Sequence, residues 1–154
     1  MSIASNQSAV NQTVNFWDKT TDIANGGLIA TSENFADGSI PNNAELDLQT
    51  TDFVAPFSGS IFIIATGSFE AGSTVSATVN CSIKLYDINS GTTCLGKTTV
   101  KANDTENTTA ILYRANIVGG LRQYFKLSVD TDYNAIGITY RNLSWAVYIC
   151  PNQL

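Results

Sequence analysis

The sequence predicts an all-β chain folded as an antiparallel two-sheet sandwich of about eight to nine strands. Three observations predict it. From residue 45 onward apolar and polar residues alternate with period 2 almost without a break, turn residues recur about every 8 to 12 positions, and no stretch of useful length carries a helical period. A chain of 154 residues is a comfortable single domain, large enough to hold a core without disulfide or metal.

Residues 1–26 are polar and weakly patterned, apart from one apolar-aromatic knot at Val14, Phe16 and Trp17. They are expected to form an N-terminal arm that docks on a partner through the knot; a first strand pairing into the sheet is the competing expectation. The domain proper then spans 27–154. Asn25-Gly26-Gly27 and Asp37-Gly38 give turn signals around the short apolar piece Leu28-Ile29-Ala30. Leu46 and Leu48 alternate with Glu45, Asp47 and Gln49 as a half-buried strand. The stretch Asp52 to Phe69 opens polar, turns at Pro56 and Gly59, and then fills successive positions with Ile61, Phe62, Ile63 and Ile64. Such a strand asks both faces of its sheet to lose water.

Val75 to Leu85 alternates as a long strand, Asn89-Ser90-Gly91 turns the chain into Cys94 to Lys101, and Ala102 to Asn107 is a polar loop. Ala110 to Val118 is the next strand, Gly119-Gly120 breaks it, and Tyr124 to Val129 alternates again. After the loop Asp130 to Asn134, strands at Ile136 to Tyr140 and Leu143 to Ile149 complete the set. In the last of these, Trp145-Ala146-Val147-Tyr148-Ile149 is again apolar on both faces. Two such strands in an alternating chain imply a core on one side and a second sheet or a neighbouring subunit on the other. Phe62, Ile64, Tyr124, Trp145, Val147 and Tyr148 are therefore expected to divide between the core and an oligomer interface.

Composition narrows the chemistry. Only 14% of residues are charged, the net charge is −5 and the eight Lys and Arg are scattered, so nucleic acid and an anionic membrane surface are not the expected partners. No apolar run approaches the roughly 18 residues of a membrane span, and the N-terminus carries neither a charged leader nor an apolar h-region, which predicts a protein made in the cytoplasm without Sec export. Six N-x-S/T tripeptides, at Asn6, Asn11, Asn80, Asn103, Asn107 and Asn142, would be glycosylation acceptors in a eukaryotic secretory protein, but in a chain this rich in Asn and Thr chance explains most of them.

There is no histidine, which rules out a Ser-His-Asp triad, a Cys-His dyad and any histidine-ligated metal. Cys81, Cys94 and Cys150 are odd in number and form no C-x-x-C pair, so neither a disulfide framework nor a zinc site is encoded, and buried free thiols are expected. The carboxylates fall in loops or on polar strand faces, where solvated charge is the expected role rather than a catalytic pair. Asp130-Thr131-Asp132-Tyr133-Asn134 reproduces the first three ligand positions of an EF-hand calcium loop but then places Ala135 at the glycine position and Arg141 at the bidentate glutamate position. No metal, no cofactor and no enzymatic activity are expected. Asp130, Asp132, Tyr133 and Asn134 stand as a candidate ligand loop for a glycan or receptor, because loops on a rigid sandwich are where recognition surfaces sit.

Four pieces in order carry a family resemblance. Phe53-Val54-Ala55-Pro56-Phe57-Ser58-Gly59-Ser60-Ile61-Phe62 resembles the strand that opens the jelly-roll domains of the tumour-necrosis-factor and complement-globular-head superfamily. Val75 to Tyr86 with Asn89-Ser90-Gly91 is similar to their next hairpin. Ile117 to Val129 resembles their glycine turn and alternating strand, and Ser144 to Ile149 their final strand. The resemblance covers about residues 45 to 150. It implies a jelly roll that trimerises about an apolar and aromatic axis, and similar trimers occur in bacteriophage head-fibre, decoration and tail-tip proteins. The implied role is a non-enzymatic virion structural protein at the virion surface, a homotrimer docked on the major capsid or another virion protein. A glycan- or receptor-binding tail-fibre module recognising a host-surface glycan is the alternative, followed by a secreted ligand of the tumour-necrosis-factor type.

Overall fold

The computed structural model describes residues 28–41, 44–72, 75, 77–101, 106–132 and 137–152. Among them run nine strands: β1 (Leu28–Asn34), β2 (Gly38–Ser39), β3 (Leu46–Val54), β4 (Gly59–Ala71), β5 (Val79–Asp87), β6 (Thr92–Val100), β7 (Asn107–Ile117), β8 (Arg122–Thr131) and β9 (Ile138–Pro151). All pair antiparallel. One sheet has the order β1-β9-β4-β7, with β2 following β1 along the free side of β9; the other has the order β3-β8-β5-β6. This is the antiparallel two-sheet sandwich that the alternation predicts, in the jelly-roll strand order that the resemblance implies.

The core lies between the sheets. Ile61, Ile63 and Phe69 of β4 meet Ile83 and Leu85 of β5 and Phe125, Leu127 and Val129 of β8, all at most 1% exposed. The two strands with apolar residues on both faces, β4 and β9, are hydrogen-bonded neighbours in the middle of one sheet, from Gly59↔Pro151 to Ala71↔Ile138. Gly59 is required there, since a Cβ at that position would lie 1.9 Å from the Cys150 carbonyl oxygen.

Several boundaries differ from the sequence expectation. The strands expected at Ile136 to Tyr140 and Leu143 to Ile149 are one strand, β9, joined through a bulge. Its register against β4 shifts between Thr66 and Ser68, and Asn142 adopts φ 50°. The extra residue flips the alternation, so that Ile138 and Tyr140 before it and Leu143, Trp145, Val147 and Ile149 after it all face inward. Continuous alternation across that point fails, and for this reason the sequence reads as two strands. Val75 is buried but precedes β5, which begins only at Val79. The piece Leu28-Ile29-Ala30 opens a seven-residue strand.

Candidate functional site

The two sheets turn faces of opposite character outward. On the β1-β9-β4-β7 sheet, alternation sends Ile61 and Ile63 into the core and therefore Phe62 and Ile64 out; on β9 it sends Trp145 and Val147 in and Ala146 and Tyr148 out. Register aligns these into rows. Leu112, Ile64 and Ala146 lie side by side in one, and Arg114, Phe62 and Tyr148 in the next. Ile64 is 43% exposed and Leu112 75%. The Arg114 guanidinium stands 5.7 Å from the centre of the Phe62 ring. In the four rows from Ser60 to Thr66, Arg114 is the one charged side chain among the described residues.

The outer face of the β3-β8-β5-β6 sheet is charged and internally neutralised. Lys84 Nζ lies 2.6 Å from Asp130 Oδ2 and 3.2 Å from Glu45 Oε2, and the Tyr86 hydroxyl donates to the same Glu45 oxygen at 2.7 Å. Asp130 holds the Lys84 ammonium up at about 12, with Glu45 adding to it. Burial opposes charge on Glu45, but Tyr86 and Lys84 help to outweigh it and its carboxyl stays below the ordinary range. One row further, the Ser128 hydroxyl donates to Asp47 at 2.7 Å, and Lys126 pairs with Asp47 at 3.0 Å while standing 4.6 Å over the Tyr86 ring. At the sheet's far end Asp132 accepts from the Asn80 backbone nitrogen at 2.9 Å and from the Asn80 side-chain amide, which depresses its carboxyl.

Between these groups lies an open depression of about 370 Å³, lined by residues that include Asn80, Ser82, Leu95, Lys97, Asp130 and Asp132. Lys84 and Asp130 are bound to one another, whereas Leu95 stands 47% exposed and Lys97 and Ser82 face the space. Among the described residues no three His, Cys, Asp or Glu side chains are grouped to hold a metal ion.

The residues singled out from sequence fall in different places. Trp145 and Val147 are core residues, at 2% and 0% exposure, and the Trp145 indole donates to Gln49 Oε1 at 2.5 Å. Phe62, Ile64 and Tyr148 share the outer apolar face. Tyr124 is apart from them, half-buried on the outer face of the other sheet, with the Arg122 guanidinium 5.2 Å over its ring. Asp130 and Asp132 line the depression; Tyr133 and Asn134, like Val14, Phe16 and Trp17, lie outside the described residues. Of the thiols only Cys81 is buried, and burial first, then the nearby Asp132 charge, pushes it up to about 12; Cys94 and Cys150 are half-buried.

Two contributions escaped the sequence reading. Leu112 carries the same two-faced signal as Ile64, an apolar residue following Ile111 in an alternating strand, and could have been found by it. Asn80, Ser82, Leu95 and Lys97 come together only through the β5–β6 and β5–β8 registers, which no local pattern encodes.

No family model matches the chain, and no curated protein matches it. Among solved structures the chain is similar to one from infectious bursal disease virus, Gx strain, at 14% identity and a TM-score of 0.51, covering 83% of this chain and 33% of that one. It is similar to the C-terminal domain of EclA, a sugar-binding protein, at 14% identity and a TM-score of 0.43, covering 75% and 76%. It also matches Eiger TNF from S. frugiperda at 9% identity and a TM-score of 0.38, covering 68% and 66%. The chain spans about a third of the length of the bursal disease virus chain. At 14% identity the likeness to the bursal disease virus chain is one of fold alone.

Proposed function

We propose that this protein is a non-enzymatic structural component of a bacteriophage virion, a capsid-decoration or head-fibre protein that assembles as a homotrimer and docks on the major capsid or another virion protein. The observation that carries the self-assembly is the outer face of the β1-β9-β4-β7 sheet. Ile64, Leu112, Ala146, Phe62 and Tyr148 are held in register there with one charge among them, the composition of an obligate interface that resembles a core cut in half. A contiguous apolar face on a molecule whose other sheet is densely charged is a site of association. Two further copies of the same face cover it, and the residues before β1 tether the trimer to the particle.

Light scattering on the full chain tests this. The expected mass is that of three chains, and the double variant Ile64→Asp, Leu112→Asp is expected to run as a folded monomer with an unchanged circular-dichroism spectrum. A wild-type monomer, or a trimer indifferent to both charges, overturns the assignment of this face.

The depression beside Asp130 and Asp132 supports a second reading, a glycan-binding module. Exposed Leu95 offers an apolar wall, while the Ser82 hydroxyl and the Lys97 ammonium offer hydrogen-bonding groups at its rim. Specific hits on a glycan array that vanish in Lys97→Ala would support it, and silence across the array would remove it.

A further inference from the structure

A second group of exposed apolar residues lies at one end of the sandwich. Val54 at the end of β3 is 59% exposed, and Val118 and Leu121 in the β7–β8 turn are each 56% exposed. The two turns that carry them are laced together. Ala55 donates from its backbone nitrogen to the Leu121 carbonyl at 2.9 Å, Gly120 donates to the Ala55 carbonyl at 2.8 Å, and Gly119 donates to the Ser58 hydroxyl at 2.9 Å. Gly120 takes φ 84°, closing the Val118–Leu121 turn, whose own hydrogen bond is 3.2 Å. The seat is thus preorganised while its apolar side chains remain in water.

The chain enters the fold at this same end. Leu28 pairs with Ile149, which pairs with Ile61, two positions from Gly59 and its partners Pro151 and Ile117. Val118 follows Ile117 directly, so it lies three strand spacings, about 14 Å, to the side of the start of β1 and three residues, about 10 Å, further along the strands. Trp17 precedes Leu28 by eleven residues, a length that reaches up to about 36 Å when extended. The aromatic knot Val14, Phe16 and Trp17 interrupts an otherwise polar stretch and supplies apolar surface of the chemistry the seat lacks.

We propose that Val54, Val118 and Leu121 are the docking seat for the Val14–Trp17 segment of the same chain, which clamps the N-terminal arm to the base of its own sandwich. This assignment stands independently of the virion reading: it fixes how the arm leaves the domain, whatever the arm then meets.

Acrylamide quenching of Trp17 in the full chain tests it, with the Trp17→Phe spectrum subtracted to remove core Trp145. The expected result is a protected Trp17 component that becomes freely quenched and red-shifted in Leu121→Asp and in Val118→Asp, but not in Ile64→Asp. Both seat positions are more than half exposed, and unchanged Trp145 emission in Trp17→Phe, Leu121→Asp confirms that the fold survives. A Trp17 that is freely quenched in the unsubstituted chain overturns the proposal, as does one still protected in both seat variants. Protection that disappears on dilution also overturns it, because the occupant would then be another copy's arm.

Discussion

Replacing Asp87 by Ala strips out the carboxylate that ties the β5–β6 turn to strand β7. Asp87 is 5% exposed. It accepts from the Tyr113 hydroxyl at 2.6 Å, from the Asn89 backbone nitrogen and side-chain amide at 3.0 Å each, and from the Ser90 backbone nitrogen at 3.2 Å. The Tyr113 hydroxyl is the donor hardest to rehydrate, and leaving such a group unpaired costs about 1–3 kcal/mol. The turn amides sit at an exposed tip where water takes over, so each adds only about 0.5 kcal/mol. The total, about 2–4 kcal/mol, lowers the Tm of a chain of this length by about 4–16 °C. Tyr113→Phe removes a single donor and costs about 1 kcal/mol. The acid dependence follows from the same contacts. Burial works against charge on Asp87, but its hydrogen-bond donors, Tyr113 foremost, outweigh it and hold the carboxyl below the ordinary range. A carboxylate depressed in the native state contributes stability that is full above its unfolded pKa, about 4, and is lost as pH falls through the lower native value. The gap between wild type and Asp87→Ala should therefore be largest at pH 7 and narrow below about pH 4. Thermal denaturation followed by circular dichroism at pH 7 and pH 3 measures it. A penalty under about 1 kcal/mol at pH 7, or a gap of the same size at pH 3, refutes the reasoning.

Three other outcomes are expected. Gly59→Ala puts a methyl carbon into the Cys150 carbonyl, forcing β4 away from β9, and should cost about 3 kcal/mol or more in chemical denaturation; a loss below about 1 kcal/mol would show that the strands part easily. Lys84→Met leaves Glu45 and Asp130 facing each other without their shared ammonium, and at the half-buried exposure of this cluster it should lower stability by about 1–3 kcal/mol at pH 7. That deficit should shrink in acid as the carboxyls take up protons, and a deficit that grows in acid would contradict the network. Cys81, with its thiol pushed up to about 12, should resist a thiol reagent at pH 8 in the native protein and react once denatured; labelling at the rate of Cys150 would show that the core opens.

How much the sequence discloses depends on whether the information is local. Fold class was legible because period-2 alternation reports burial directly, residue by residue, as in Phe125, Leu127 and Val129 of β8. The exceptional strands were legible too: Ile61 to Ile64 and Trp145 to Ile149 announce two apolar faces wherever they end up. Their adjacency was not, since β4 and β9 are brought together by a topology that no local pattern specifies. The single-residue bulge at Asn142 was hidden for a related reason, because its effect is to reverse parity and mimic a strand break. Asp130 and Asp132 were expected in a loop open to a glycan or receptor, yet Asp130 ends up within β8 and Lys84 and Asn80 occupy the two carboxylates. Neither partner stands near them in sequence, and only the β5–β8 pairing brings Lys84 within 2.6 Å of Asp130.

The separation of charge between the two sheets bears on association more than the fold does. Glu45, Asp47, Lys84, Lys126 and Asp130 lie on or beside one outer face, where Lys84 is shared by Glu45 and Asp130 and Lys126 pairs with Asp47, so most of the charge on that face is matched locally in water. The opposite face carries Phe62, Ile64, Ala146 and Tyr148 on the two central strands, which have strands on either side, and Leu112 on the edge strand β7. Pairing at a strand edge therefore does not cover it; only a flat surface laid against it does. A sheet that presents side chains but no free backbone in its middle selects a partner by shape and apolar fit, and another copy of the same face supplies both without any new electrostatic match. Arg114 is the exception: a guanidinium at the border of the Phe62 row must keep contact with water or meet an acceptor, and in the proposed interface it would mark the margin of the covered area.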